Sequence, residues 1–247
     1  YLAKDLFEEF QDVAVKVFRP DQFTHHRSEQ FKHECNRMAR LRHPNIGRFC
    51  EYGYLRTSKI SNSRSNMFLA YEYVPGEELL TFFQQSSHSL DTIFRVSHQI
   101  CLALKYVHHF GIVHLDIKPA NILVHSSGSI EVVKLIDFGL SALKSRLKKP
   151  LIRGSAPYMA PELIRGSRAD HRTDLYSLGV TLYEIIAGEL PFGREDPHIT
   201  FERHLHEEPK PLKELSPWIP SDLNRIVMSL LSKKPSDRIS CANTLIQ

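Results

Sequence analysis

The run His114-Leu115-Asp116-Ile117-Lys118-Pro119-Ala120-Asn121, followed sixteen residues after Asn121 by Asp137-Phe138-Gly139, decides how the rest of the chain is read. It brings together a carboxylate, an amine and a side-chain amide, and then a second carboxylate. Asp116, Asn121 and Asp137 offer hard oxygen donors of the kind that suits Mg2+. A carboxylate held beside a hydroxyl can orient it and accept its proton. Lys118, two residues from Asp116, can offset negative charge on a group in transit. Any one of these polar residues, seen alone, is more often structural, so the weight lies on their joint spacing.

Upstream, Asp12-Val13-Ala14-Val15-Lys16-Val17-Phe18 is alternating and rich in β-branched residues, which predicts a strand ending before Pro20. Phe31, Cys35, Met38 and Leu41 recur at helical spacing between about Ser28 and Leu41, and His43-Pro44 closes that helix. Two more strands are predicted at Gly47–Tyr54 and Met67–Val74, with the polar stretch Arg56–Asn66 between them as a solvated loop. Pro75-Gly76 is a break, and helices dominate after it. Ile93, Val96, Ile100, Leu104 and Val107 share one helix face that ends before Gly111. A hairpin of Ile122–His125 and Val132–Ile136 turns at Ser126-Ser127-Gly128. Asp174–Ala187 reads as a buried helix stopped by Gly188, and Asp222–Ser232 as another. The predicted fold class is therefore α+β in two lobes, a small β-rich lobe with one helix over residues 1–75 and a larger, mainly helical lobe over 76–247.

Composition narrows the functional classes. The 247 residues are 42% hydrophobic and 24% charged with a net charge of +4, ordinary values for a globular chain and far from the clustered charge of a nucleic-acid binder. No nucleic-acid partner is expected. Cys35, Cys50, Cys101 and Cys241 are scattered without a Cys-x-x-Cys pair, which argues against a disulfide framework and for a reducing, cytoplasmic setting. No apolar run reaches the ~18–20 residues of a membrane helix; Leu175–Ala187 is interrupted by Glu184. The adjacent pairs His25-His26 and His108-His109 diverge on a helix and are poor chelators. Tyr1 is not a natural start, so the chain is expected to be truncated at both ends, with any anchor or flanking domain beyond it.

The order Val13-Ala14-Val15-Lys16, His114–Asn121, Asp137-Phe138-Gly139 and Ala160-Pro161-Glu162 resembles the signature set of the protein kinases, and the match spans essentially the whole chain. The resemblance implies a serine/threonine-specific enzyme that uses ATP and Mg2+ to phosphorylate a protein hydroxyl. Phosphoryl transfer suits the residues above, because it needs positioning and charge stabilisation more than covalent chemistry. By the same resemblance Lys16 contacts the α- and β-phosphates and pairs with a helix glutamate. Glu34 has the family spacing for that partner, and Glu29 is its rival. Asp116 is the catalytic base, with Lys118 beside it, and Asn121 and Asp137 hold the metal. Tyr71 is a bulky residue closing the back of the adenine pocket. The backbone of Glu72 and Val74 meets the adenine edge, Ala14 and Leu123 sandwich the base, and Glu78 can reach the ribose. Glu162 pairs with Arg238, Asp174 supports the backbone around His114, and Met38, Phe49, His114 and Phe138 form a stack between the lobes. Lys118 and the segment Gly154–Glu162 resemble the serine/threonine branch, with Ser155 where that branch more often has threonine. Ile219–Arg238 resembles the bacterial members.

The pattern departs from the family in three places. The Gly-rich phosphate loop is missing, and Tyr1-Leu2-Ala3 resembles the strand that would follow it. Leu115 replaces an arginine that in the family binds a phosphate on the activation segment. Leucine forms no charge-assisted bond, so control by phosphorylation of that segment is not expected. Finally, Lys144, Arg146, Lys148, Lys149 and Arg153 make the segment before Glu162 basic. That is either a solvated loop or a surface that draws acidic substrates. A scaffold that binds partners without turnover is the alternative reading. A small-molecule kinase of related fold fits less well, because such enzymes lack the Ala160-Pro161-Glu162 segment.

Overall fold

In the computed structural model the described residues are 1–4, 12–18, 32–33, 35–55, 66–85, 88–127, 130–138 and 156–246. Four antiparallel strands form the first sheet: β1 (Leu2–Lys4), β2 (Asp12–Phe18), β3 (Phe49–Leu55) and β4 (Asn66–Glu72), in the order β1-β2-β4-β3. Residues 35–38 are helical beneath it. The remaining elements build the helical lobe, with a second, three-stranded antiparallel sheet at its top: β5 (Glu77–Glu78), β6 (Ile122–Ser127) and β7 (Ile130–Leu135). The chain is thus an α+β protein with a strand-rich lobe preceding a mainly helical one.

Strand limits follow from partners rather than from local sequence. Strand β4 pairs with β2 only as far as Val13↔Glu72, and a last backbone bond runs from the Tyr73 N–H to the Asp12 carbonyl at 3.1 Å. The strand therefore stops two residues before the predicted Val74. The hairpin of β6 and β7 is longer than expected, pairing out to Ser127↔Ile130.

Two long helices form the centre of the helical lobe. Between α1 (Leu79–Gln85) and the 3-10 turn Pro119–Asn121 lies α2 (Leu90–His109), capped by Ser89, whose Oγ accepts the Thr92 N–H at 3.2 Å. Its buried side includes the five residues read as one face in the sequence. After the short α3 (Pro161–Ile164) comes α4 (His171–Ala187). It starts three residues earlier than predicted because Asp170 and Thr173 form a reciprocal cap, with threonine where glutamate is the more legible signal. Asp174 thus sits inside the first turn, fully buried. Gly188 ends the helix at φ 76°, a left-handed conformation glycine adopts without cost. Mid-helix, Gly179 lets α4 approach α7 (Ser221–Leu230): a Cβ there would lie 2.7 Å from the Leu230 Cβ. The helices α5 (Pro197–His206), α6 (Leu212–Leu215) and α8 (Ala242–Ile246) complete the lobe.

Two polar groups buried in this lobe, Glu162 and His204, have every side-chain heteroatom bonded. Arg238 donates to Glu162 Oε1 and Oε2 at 2.8 and 2.7 Å, and Thr173 Oγ1 adds a third bond at 2.8 Å. Burial alone would raise the Glu162 carboxyl; the Arg238 hydrogen bonds and charge outweigh it and hold the group below its usual value. His204 on α5 lies between Tyr176, whose hydroxyl is 2.8 Å from Nδ1, and the Pro157 carbonyl, 3.0 Å from Nε2. A carbonyl only accepts, so Nε2 carries the proton, and in the neutral ring Nδ1 accepts from the tyrosine hydroxyl. Burial, reinforced by the Lys233 charge, lowers His204 to about 3.

That arrangement makes stability depend on pH. Below the unfolded-state value near 6.5 the unfolded chain takes up a proton that folded His204 refuses until about 3. Urea unfolding should therefore show stability falling from pH 6.5 towards 4, by at most about 1.4 kcal/mol per unit from this residue. The His204→Gln variant should have a shallower slope over the same range.

Candidate active site

The loop from His114 to Asn121 is shaped from beneath by the buried Asp174 carboxylate. Asp174 Oδ2 accepts the His114 N–H and Oδ1 the Leu115 N–H, both at 2.8 Å, and His108 Nε2 lies 2.8 Å from Oδ2. These bonds hold Leu115 at φ 62°, a conformation that costs a leucine ~1–2 kcal/mol. His114 is fixed in turn. Its Nε2–H points at the Ile136 carbonyl (3.0 Å), its Nδ1 accepts the Asp116 N–H (3.3 Å), and burial lowers its basicity despite the nearby carboxylates.

The side chains of Asp116, Lys118 and Asn121 converge. Asp116 Oδ2 accepts from Lys118 Nζ at 3.1 Å and from Asn121 Nδ2 at 3.0 Å. The same Asn121 amide nitrogen also donates to the Asp116 carbonyl at 2.7 Å. With its nitrogen committed, Asn121 is left with its amide oxygen as an acceptor.

Across the interlobe cleft, Lys16 Nζ donates to both oxygens of Asp137, at 2.8 and 2.7 Å. Sequence reading paired Lys16 with Glu34, which lies outside the described residues. Asp137, like Leu115, is a non-glycine residue at positive φ (65°). The cleft has a volume of about 490 Å³ and is lined by Ala14, Lys16, Val74, Leu123, Asn121 and Asp137, with Tyr71 and Glu72 at the β4 end. Val74 makes no backbone hydrogen bond with another described residue, whereas the Glu72 N–H is bound to the Arg48 carbonyl at 2.9 Å. Glu78 does not join the cleft wall; it is exposed on β5, in register with Leu123. Met38, Phe49, His114 and Phe138 are all buried, with the rings of His114 and Phe138 edge-to-face at 4.5 Å. Gly139, Ser155 and the basic run from Lys144 to Arg153 lie outside the described residues.

Several contacts that shape the site were not legible beforehand, nor was the part played by Asn45. Tyr71 donates its hydroxyl to the Phe138 carbonyl at 2.8 Å. Glu72 forms an ion pair with Lys134. Asn45 accepts the Leu135 N–H through its own carbonyl (2.9 Å) and donates its amide to the Val133 carbonyl (2.9 Å) and Gln99 (2.8 Å). The only sequence signal for Asn45 was its place after His43-Pro44.

A strand-rich lobe and a helical lobe thus meet at a cleft lined by Lys16, Asn121 and Asp137, with Asp116 and Lys118 bonded beside Asn121. A family model, the protein kinase domain, matches residues 6–247, and the chain belongs to that family. A probable serine/threonine-protein kinase of Clostridium perfringens is 33% identical over 242 residues, covering 95% of this chain and 33% of the relative. The serine/threonine-protein kinase PknB of Mycobacterium tuberculosis is 32% identical over 249 residues, covering 98% and 38%. The kinase pkn3 of Myxococcus xanthus is 31% identical over 242 residues, covering 93% and 43%. The chain therefore spans well under half the length of these curated relatives. Among the described residues no helix is long and apolar enough to cross a membrane.

The role of Asp174 has a measurable consequence. Asp174→Ala leaves the buried His114 N–H, at a cost of about 1–3 kcal/mol, and the half-buried Leu115 N–H without their acceptor, and should lower the urea midpoint sharply. Leu115→Gly relieves the positive-φ strain and should leave that midpoint unchanged or raise it slightly.

Proposed function

We propose that this chain is the catalytic part of a serine/threonine protein kinase, which moves the γ-phosphoryl of ATP onto a serine or threonine hydroxyl of a protein with Mg2+ as cofactor. The observation that carries this reading is the shared hydrogen bonding of Asp116 with Lys118 and Asn121, beside a cleft that Asn121 and Asp137 line from the helical lobe and Lys16 from the strand-rich lobe. The relatives' names as serine/threonine kinases support the choice of acceptor.

The donor set fits the metal. Asn121 keeps an amide oxygen free of its own nitrogen's bonds, and with the Asp137 carboxylate it lines the cleft. When bound there, Mg2+ would neutralise charge on the phosphate oxygens. Lys16, now on the Asp137 carboxylate, has the reach to share its ammonium with phosphate oxygens. Asp116 orients the acceptor hydroxyl and takes its proton as the oxygen bonds to the γ-phosphorus and the bond to the ADP oxygen breaks. Lys118 offsets charge on the moving group. Ala14 and Leu123 are placed to enclose a planar base, with the Val74 backbone as its hydrogen-bonding edge. Leu115 offers no cation for a phosphorylated activation segment, which argues against control by that route.

Incubation with Mg·[γ-32P]ATP and casein should label phosphoserine or phosphothreonine. Asp116→Asn should lower kcat by about 10²–10⁴-fold with an unchanged thermal midpoint. Nucleotide binding without any transfer by the unmodified chain would instead favour the scaffold reading.

A further inference from the structure

The segment from Lys134 to Phe138 carries Asp137 into the cleft, and the C-terminal end of β4 reaches it at two points. Tyr71 donates to the Phe138 carbonyl at 2.8 Å, one residue after Asp137, and Glu72 pairs with Lys134, three residues before it. Between these points the chain makes the turn that sets Asp137 at φ 65°, a left-handed conformation uncommon for residues other than glycine. The Tyr71 ring is fixed on its other side by Phe49, edge-to-face at 5.5 Å, and by pairing of its backbone with Ala14. The phenol therefore has a defined position before any ligand arrives.

We propose that Tyr71 is a positioning residue for the reaction proposed above: its hydroxyl, bound to the Phe138 carbonyl, holds the Asp137-Phe138 backbone in the turn that aims the Asp137 carboxylate at the metal. It rests on the kinase reading of the site. Phenylalanine, methionine or threonine would close the same pocket by bulk or polarity, but none carries a hydroxyl at the end of an aromatic ring. Burial, then the nearby Asp137 charge and Cys35, hold the phenol well above its ordinary value. The carbonyl it binds belongs to a residue whose ring is seated on His114, so loss of the bond frees the peptide next to Asp137 without unseating the ring.

The test compares the full chain with Tyr71→Phe, which keeps the ring and removes the donor. Mn2+ binding is read by electron paramagnetic resonance with a non-hydrolysable ATP analogue present, and affinity for the metal-free analogue is measured separately. Tyr71→Phe should weaken Mn2+ binding by about 3- to 10-fold, the worth of one hydrogen bond. It should lower kcat to a similar degree at limiting metal and leave metal-free nucleotide affinity and the thermal midpoint nearly unchanged. Incorporating 3-fluorotyrosine at position 71, which retains the donor, should keep native Mn2+ affinity. Unchanged Mn2+ affinity in Tyr71→Phe overturns the proposal and leaves the kinase reading intact, as does equal weakening of metal-free nucleotide binding. Failure of the unmodified chain to bind the metal–nucleotide pair overturns both.

Discussion

Asp174 is a fully buried carboxylate in the first turn of a buried helix, and the geometry of the candidate site depends on its hydrogen bonds. Burying such a group is costly unless every oxygen is bonded, and here two backbone N–H groups and an imidazole meet it. The arrangement works in both directions. The loop satisfies the carboxylate, and the carboxylate forces Leu115 into a conformation it would not otherwise populate. That bend carries the chain from buried His114 back towards the cleft, where Asp116 meets Lys118 and Asn121.

The segment 134–138 is the second shared constraint. The Gly47 N–H donates to the Leu135 carbonyl and the Leu135 N–H to the Asn45 carbonyl, at 2.8 and 2.9 Å. Lys134, Asp137 and Phe138 add contacts to Glu72, Lys16 and Tyr71 of the strand-rich lobe. A short stretch of the helical lobe is thus bonded at four of its five residues to residues 16–72. Movement of one lobe against the other must act on Asp137. The Lys16–Asp137 pair is partly open to solvent, so its role is geometric more than stabilising.

The ion pair between Glu162 and Arg238 is almost wholly buried, and neither residue lines that cleft. Its bidentate geometry and the Thr173 hydroxyl leave no carboxylate oxygen unbonded. Removing one partner would strand a buried charge, whereas the intact pair ties the start of α3 to the chain after α7.

Much of this was written in the residues. Periodicity marked the core face of α2, alternation marked β2, and spacing grouped Asp116, Lys118, Asn121 and Asp137, since those signals depend on local order along the chain. Element ends were less legible: β4 stops where β2 runs out of partners, and α4 starts at a cap whose second member is threonine. What only the tertiary structure decided are the pairings across large separations. The chain's order does not say that Lys16 would grip Asp137, 121 positions away, or that the Tyr71 hydroxyl would find the Phe138 carbonyl. The physical reason is that a hydrogen bond is set by distances of about 3 Å and by direction. Those are fixed only when two packed lobes have brought the groups together.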